Sequence, residues 1–411
     1  MKKSLITILI CALLAASLTG CGIVDSIVKV GVSKLKGQKA EQTEEVEDEA
    51  EDEAADETEE VQDAQDTSEQ EDAAGAEEAE GRDFGDPDEE VEPEEEIWQK
   101  LYIRLLNEYR EYYLPDADEP ANEWTPIQYY LYDVNKDGIP EMIIKRGSCE
   151  ADYNGEMYSN DGYAAKPFAY DLPLGHTSLY SDPGENGIIF DGGHMGEHWV
   201  SKGYMTKDTL EYEEVFGETL MGEDDVYTNM DKIIAGSMPV PYARMTQDLY
   251  VHQYDRIWNL VEGKETAAAA DPDADKKLKD AVDDTLSGGG SVVGVSADGY
   301  GQDFGPVPFD DMLKKLDQWS DVPYAIESQE YADVDLDGVK ECVIWVKPES
   351  EDATRRDAIV LSLQDGKMYA YIINYVNDAT LRADGAFESK EYGYSYRIVF
   401  DHDDCMQIYV K

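Results

Sequence analysis

Basic residues are the scarce ones in this chain. Lys and Arg number 34 against 92 Asp and Glu, a formal net charge of −58. Nucleic acid is excluded as a partner, because binding phosphates takes stripes of Lys and Arg that the sequence lacks. Cysteine is scarcer still, with five in 411 residues. None forms a CxxC pair, so no disulfide framework and no zinc site is expected. Cys149, Cys342 and Cys405 fall in the part with the composition to fold, and their odd number leaves room for one pair. After the first twenty residues no apolar run is long enough to span a bilayer. A GxSxG elbow, a GxxxxGKS/T phosphate loop and an HExxH helix are all missing. The chain therefore shows no catalytic signature.

Charge runs in three blocks. Residues 1–40 hold six Lys and one Asp, residues 41–96 hold thirty acids and Arg82, and residues 97–411 hold sixty-one acids and twenty-seven bases. The middle block, opening "EQTEEVEDEAEDEAADETEE", has too few apolar residues to offset chain entropy. It is expected to be a disordered, self-repelling tether. As a neutral coil it would span about 40 Å, and repulsion stretches it toward a ceiling of about 190 Å.

The chain begins with Lys2 and Lys3, an apolar run "SLITILICALLAAS" and then "LTGC", Leu18 to Cys21. The run is too short and wrongly flanked for a transmembrane helix, and residues 1–20 read as a secretory signal. "LTGC" resembles the lipobox of bacterial lipoproteins. That resemblance implies cleavage before Cys21, a diacylglycerol on its thiol, and a place on the extracytoplasmic face of the bacterial cell membrane. Residues 21–40 mix Val and Ile with Lys29, Lys34, Lys36 and Lys39. They suit a second, weak contact with anionic headgroups, or equally a basic spacer.

Residues 97–411 exceed one ordinary core. A stretch rich in Ala, Asp and Gly, 263–305, divides them and is expected to be a linker with one polar helix near "KKLKDAVDDTL". Each side opens alike. "IWQKLYIRLLNEYREYY" spaces Ile97, Trp98, Leu101, Tyr102, Leu105, Leu106 and Tyr109 along one helical face. "FDDMLKKLDQW" does the same with Phe309, Met312, Leu313 and Leu316. Downstream, turns such as "NDGY", "DPGENG" and "QDGK" separate short aromatic or β-branched runs, which reads as antiparallel hairpins. The expected fold is α+β: two domains, 97–262 and 306–411, each an antiparallel β-meander with a packed N-terminal helix. The 28 Tyr are expected mainly as half-buried sheet residues with hydroxyls in water.

Two loops stand out, "DVNKDGIPE" at 133–141 and "DVDLDGVKE" at 333–341. Asp133, Asn135 and Asp137 align with Asp333, Asp335 and Asp337, and Glu141 with Glu341. Acids at alternate positions point oxygens inward, and glycine at position six permits a sharp turn. The carbonyls of Ile139 and Val339 complete a ligand set suited to calcium, which takes six to eight oxygens. An EF-hand would need Glu at position twelve, where Ile144 and Ile344 stand, and its flanks would be helices rather than strands. The loops resemble instead the strand-loop-strand calcium sites of FG-GAP and VCBS-type repeats, which implies an ion tying down each turn. Asx-turns without metal are the alternative, but three or four acidic side chains converging on each turn would then repel one another.

Other motifs carry less. "HMGEH" sets His194 and His198 in a turn, Ser26 and Lys29 form an SxxK outside any fold, and "DHDDC" reads as a solvated acidic strand end. The layout also resembles lipoproteins of Gram-positive bacteria with "LYDxxxDGxPEL"-like turns, a likeness that brings no activity with it. The functional expectation is a tethered, calcium-stiffened, non-catalytic module for a cell-wall polymer, a glycan or a protein. The alternative is a hydrolase of wall or glycan using paired carboxylates.

Overall fold

The apolar stripe at the start of the folded part forms a helix, α1 (Glu94–Tyr112). It buries Trp98, Leu101, Tyr102, Leu105, Leu106 and Tyr109. The computed structural model describes residues 94–114, 121–194, 197–219, 235–297, 301–317, 320–350, 354–390 and 393–411, all within one compact unit. The expected signal at 1–20, Cys21, the basic segment 21–40, the Ser26 and Lys29 pair, and all but the end of the acidic tether lie outside the described residues.

The fold is α+β, and its sheets are almost wholly antiparallel. The first central sheet has the order β4 (Ala165–Pro173), β3 (Asn154–Asn160), β2 (Glu141–Arg146), β1 (Pro126–Tyr132), β9 (Tyr242–Arg244). One face packs Tyr129, Leu131, Met142 and Ile144 against α1 and two short helices, α2 (Leu249–His252) and α3 (Tyr254–Val261). The other face packs Tyr130, Tyr132, Ile143 and Met157 on a four-stranded meander. That meander is β5 (Thr177–Ser181), β6 (Ile188–His194), β7 (Glu197–Met205) and β8 (Leu210–Thr219).

The second half repeats the layout. Its sheet runs β11 (Phe304–Val307), β10 (Val292–Ser296), β15 (Lys367–Ile373), β14 (Asp357–Gln364), β13 (Glu341–Pro348), β12 (Tyr324–Ala332). Cys342, Ile344, Ile359 and Leu361 face α4 (Pro272–Leu286) and α5 (Phe309–Leu313). Val343, Trp345, Ala358 and Val360 face a second four-stranded meander. It comprises β16 (Ala379–Leu381), β17 (Phe387–Ser389), β18 (Tyr394–Asp401) and β19 (Asp404–Val410). Burial on both faces explains why "ECVIWV" and "DAIVLSL" are nearly continuous apolar text rather than alternating. Val399, Met406, Ile408 and Val410 turn the other way, into the core of the first half.

Several expectations are corrected. Residues 263–305 do hold the polar helix, α4, but they also supply β10 and β11, and β10 joins β15 in parallel. The β-branched run "VVGVS" is strand text that neighbouring glycines disguised. Helix α5 ends at Leu313, although Leu316 beyond it is still buried. Many tyrosines are not wet. Tyr102, Tyr129 and Tyr250 are fully buried, and their hydroxyls donate to the carbonyls of Pro140, Gln247 and Leu131 at 2.7, 2.8 and 2.6 Å. Cys149, Cys342 and Cys405 are not joined by a disulfide.

Gly385, in the turn between β16 and β17, has φ +82°, and a Cβ there would collide with the backbone carbonyl of Asp333. Gly385→Ala combines left-handed strain with overpacking and should cost about 3 kcal/mol. A urea midpoint close to that of the wild type would contradict this close approach.

Candidate metal centre

Each half sets an acidic turn between two adjacent strands of its central sheet. β1 and β2 pair Tyr132 with Glu141, and β12 and β13 pair Ala332 with Glu341. The backbone takes one path in both. Lys136 and Leu336 have φ of 64° and 66°, and Gly138 and Gly338 follow at 94° and 91°. Two left-handed residues so close together reverse the chain sharply, and the second is the one where glycine removes the Cβ penalty.

The same hydrogen bonds hold both turns. Val134 and Val334 donate their N–H to Oε2 of Glu141 and Glu341 at 2.8 and 2.9 Å. Gly138 and Gly338 donate to Oδ2 of Asp133 and Asp333 at 3.0 and 3.1 Å. Ile139 and Val339 donate to Oδ1 of Asp137 and Asp337 at 2.8 and 2.7 Å. Asp137 and Asp337 donate to Oδ1 of Asn135 and Asp335 at 2.8 and 3.1 Å. Most of these are the Asx-type bonds that such residues make in turns.

Position three separates the loops. Asn135 Nδ2 donates to Asp137 Oδ2 and to Glu141 Oε1, both at 3.0 Å, so an amide proton lies between the carboxylates. Asp335 has no proton to offer. In that loop Asp333, Asp335 and Glu341 each bring a ligand oxygen within 4.8 Å of the others, and among the described residues no other acidic, histidine or cysteine group is gathered so closely. Asp333 Oδ1 is buried with no hydrogen-bond partner. Asp335 and Glu341 are only 2% and 1% exposed, whereas Asp337 is exposed. An all-oxygen set with one unpartnered oxygen fits a hard divalent cation. The first loop fits one less directly, because the Asn135 amide must turn over before its oxygen faces the carboxylates.

The surroundings of the second loop come from distant parts of the chain. Arg256 on α3 donates from Nη2 to the Asp335 carbonyl at 2.5 Å and to its Oδ2 at 3.3 Å. Arg397 on β18 donates to the Val334 carbonyl at 3.0 Å. Ala268 and Asp271 donate their N–H to the carbonyls of Leu336 and Gly338, each at 3.0 Å. Only Arg256 meets a loop carboxylate, since Arg397 is paired with Asp384 at 3.5 Å, so the four carboxylates keep an excess of negative charge. The first loop is fixed by aromatic hydroxyls instead, with Tyr254 accepting the Asp133 N–H at 3.1 Å and Tyr102 donating to Pro140. Lys136 folds back to donate to the Asp133 carbonyl at 2.8 Å and the Tyr132 hydroxyl at 2.6 Å. None of these supporting residues carries a sequence signal.

The remaining candidates disperse. His194 ends β6, and His198 on β7 lies with Nε2 2.5 Å from Asp191 Oδ1, so the two histidines have different partners. Met195 and Gly196 between them lie outside the described residues. Asp401 and Asp403 of "DHDDC" are exposed, but Asp404 is not a solvated strand end. Its Oδ2 accepts the N–H groups of Asp248 and Leu249 at 3.0 and 3.1 Å, at the start of α2.

Burial is the main cause that raises the loop carboxyls. It pushes Glu141 up to about 8, Asp335 up to about 6 with help from Asp337, and Glu341 well above the ordinary range. The folded chain then holds protons that the unfolded chain has released. Stability from these groups is present at low pH and falls as pH rises from the ordinary carboxyl values toward 8. In EDTA the melting temperature should therefore drop between pH 5 and pH 8, and calcium should flatten the drop. A metal-free melting temperature independent of pH in that window would contradict the desolvation of Glu141 and Glu341.

No protein-family model, no curated protein and no solved structure matches this chain.

Proposed function

We propose that this chain is a lipid-anchored extracytoplasmic lipoprotein whose folded part is a non-catalytic binding module stiffened by two structural calcium ions. The observation that carries the metal reading is the second loop, where Asp333, Asp335 and Glu341 converge around the unpartnered Oδ1 of Asp333. Asp333, Asp335, Asp337, Glu341 and the Val339 carbonyl would hold that ion. Asp133, Asn135, Asp137, Glu141 and the Ile139 carbonyl would hold the other. Calcium is favoured over magnesium, which keeps its waters and demands a tighter octahedron.

When bound, the ion supplies positive charge to carboxylates that burial has stripped of water. The role is structural because Asp335 and Glu341 are almost fully buried, so an ion among them faces protein rather than substrate. Extracellular calcium modules have Kd of ~10⁻⁴ to 10⁻³ M. With free ion tenfold above Kd, each site stabilises the fold by about 1.4 kcal/mol. The anchor reading rests on "LTGC" and the acidic tether, which together hold the module off a membrane surface. Its partner class is a cell-wall polymer, a glycan or another protein.

Two outcomes are expected. Millimolar calcium should raise the melting temperature of the EDTA-treated full chain by a few degrees, with magnesium weaker. Asp137→Ala and Asp337→Ala should each remove part of the rise, and variants that respond like the wild type would rule out the metal assignment. In a bacterial host, Cys21→Ala should move the chain from the membrane to the soluble fraction. A variant still bound to membrane would show that Cys21 is not the anchor.

A further inference from the structure

We propose that Glu150, His176 and His194 form a metal site of a second kind, for a divalent transition ion of the zinc, nickel or copper(II) class. Its ligands come from three separate segments, which is why cysteine and histidine spacing in the sequence gives no hint of it. The connection between β2 and β3 is a tight turn in which Ser148 and Cys149 donate their N–H to Asp152 Oδ1 at 2.9 and 2.8 Å. It presents Glu150 to the connection between β4 and β5. There Gly175 lies against the Glu150 carbonyl, which a Cβ would meet at 3.0 Å. His176 follows with φ of 50° and donates its N–H to Glu150 Oε1 at 2.8 Å.

That bond fixes the carboxylate and leaves its other oxygen over. Glu150 Oε2 is buried with no hydrogen-bond partner, and so is Nε2 of His176. With Nε2 as the lone-pair nitrogen, these are two electron-pair donors on neighbouring residues, and a cation drawn between them would satisfy both. The His176 carbonyl accepts the Gly193 N–H at 3.1 Å, which registers it against β6. The next residue, His194, lays its ring on that of His176, with centroids 4.4 Å apart and planes at 22°. The three ligand atoms are not drawn together as closely as those of the acidic loop. His194 is exposed, so a side-chain rotation would be enough to bring its ring nitrogen to the site. Two imidazoles with one carboxylate select a borderline transition ion over calcium. The backbone N–H on Glu150 is the outer-shell bond that such ligands commonly have. Three protein ligands leave one coordination position for water.

The test uses the full chain in saturating calcium, so that the acidic loops are filled, with zinc titrated by calorimetry. One zinc equivalent should bind. Glu150→Gln, which is isosteric, and His194→Ala, at an exposed position, should each weaken binding roughly tenfold or more. His252→Ala, an exposed histidine on α2, should leave it unchanged. Copper(II) on the wild type should give an electron paramagnetic signal split by two nitrogens, reduced to one in His194→Ala. Failure to bind zinc in calcium, or zinc affinity that Glu150→Gln and His194→Ala leave within twofold, would overturn the proposal. So would equal loss in His252→Ala. The proposal does not depend on calcium occupying the acidic loops.

Discussion

Two buried carboxylates, Glu141 and Glu341, constrain the rest of the molecule. Each is the first residue of a central strand, and each reaches back to accept the N–H of the valine that follows the first aspartate of its loop. A carboxylate removed from water is tolerated only when hydrogen bonds and opposite charge replace its hydration. The turn, the register of β1 on β2 and of β12 on β13, and the raised proton affinity of these acids therefore share one cause. Shifting either register by one residue would turn the glutamate away from the turn and expose a row of core side chains.

The second loop draws its compensation from remote sequence. Arg256 comes from the last helix of the first half, Arg397 from the C-terminal meander, and the Ala268 and Asp271 amides from the segment between the halves. Buried ion pairs contribute little net stability, but they penalise any arrangement that separates them. The acidic loop thus specifies how the strap at 268–271, α3 and β18 assemble around it. The C-terminal meander completes the join, since its β19 supplies Met406, Ile408 and Val410 to the core of the first half.

Much of this was legible in the sequence, and the part that was not has physical reasons. Helix α1 and the two hairpins were readable because a single apolar period or a turn signature specifies each locally. Strand β10 was hidden because its pairing with β15 is parallel and distant, and glycines flank it. Asp404 looked solvated because nothing near it in sequence shows that its partners are the amides of Asp248 and Leu249. The tyrosine hydroxyls found carbonyls rather than water for the same reason. The acids of the two loops and the difference between Asn135 and Asp335 were visible, but the distant residues that surround the second loop, Arg256 and Arg397 above all, were not.

That inequality comes down to one functional group. Asn135 and Asp335 occupy the same place in the same turn and accept the same backbone N–H. The amide of Asn135 then has protons left for Asp137 and Glu141, so the first loop closes its own hydrogen bonds. The carboxylate of Asp335 has none and adds a negative charge to three others, while Asp333 Oδ1 also lacks the backbone N–H that Asp137 donates to Asp133 Oδ1 at 3.1 Å in the first loop. Arg256 offsets part of that charge from one side at 3.3 Å and cannot reach the centre of the ring as a small ion does. An ion in the first loop would have to displace the Asn135 amide contacts, so its stabilisation there would be the smaller of the two. In the second loop it would relieve the repulsion that Arg256 leaves, and there it would have the larger effect on stability.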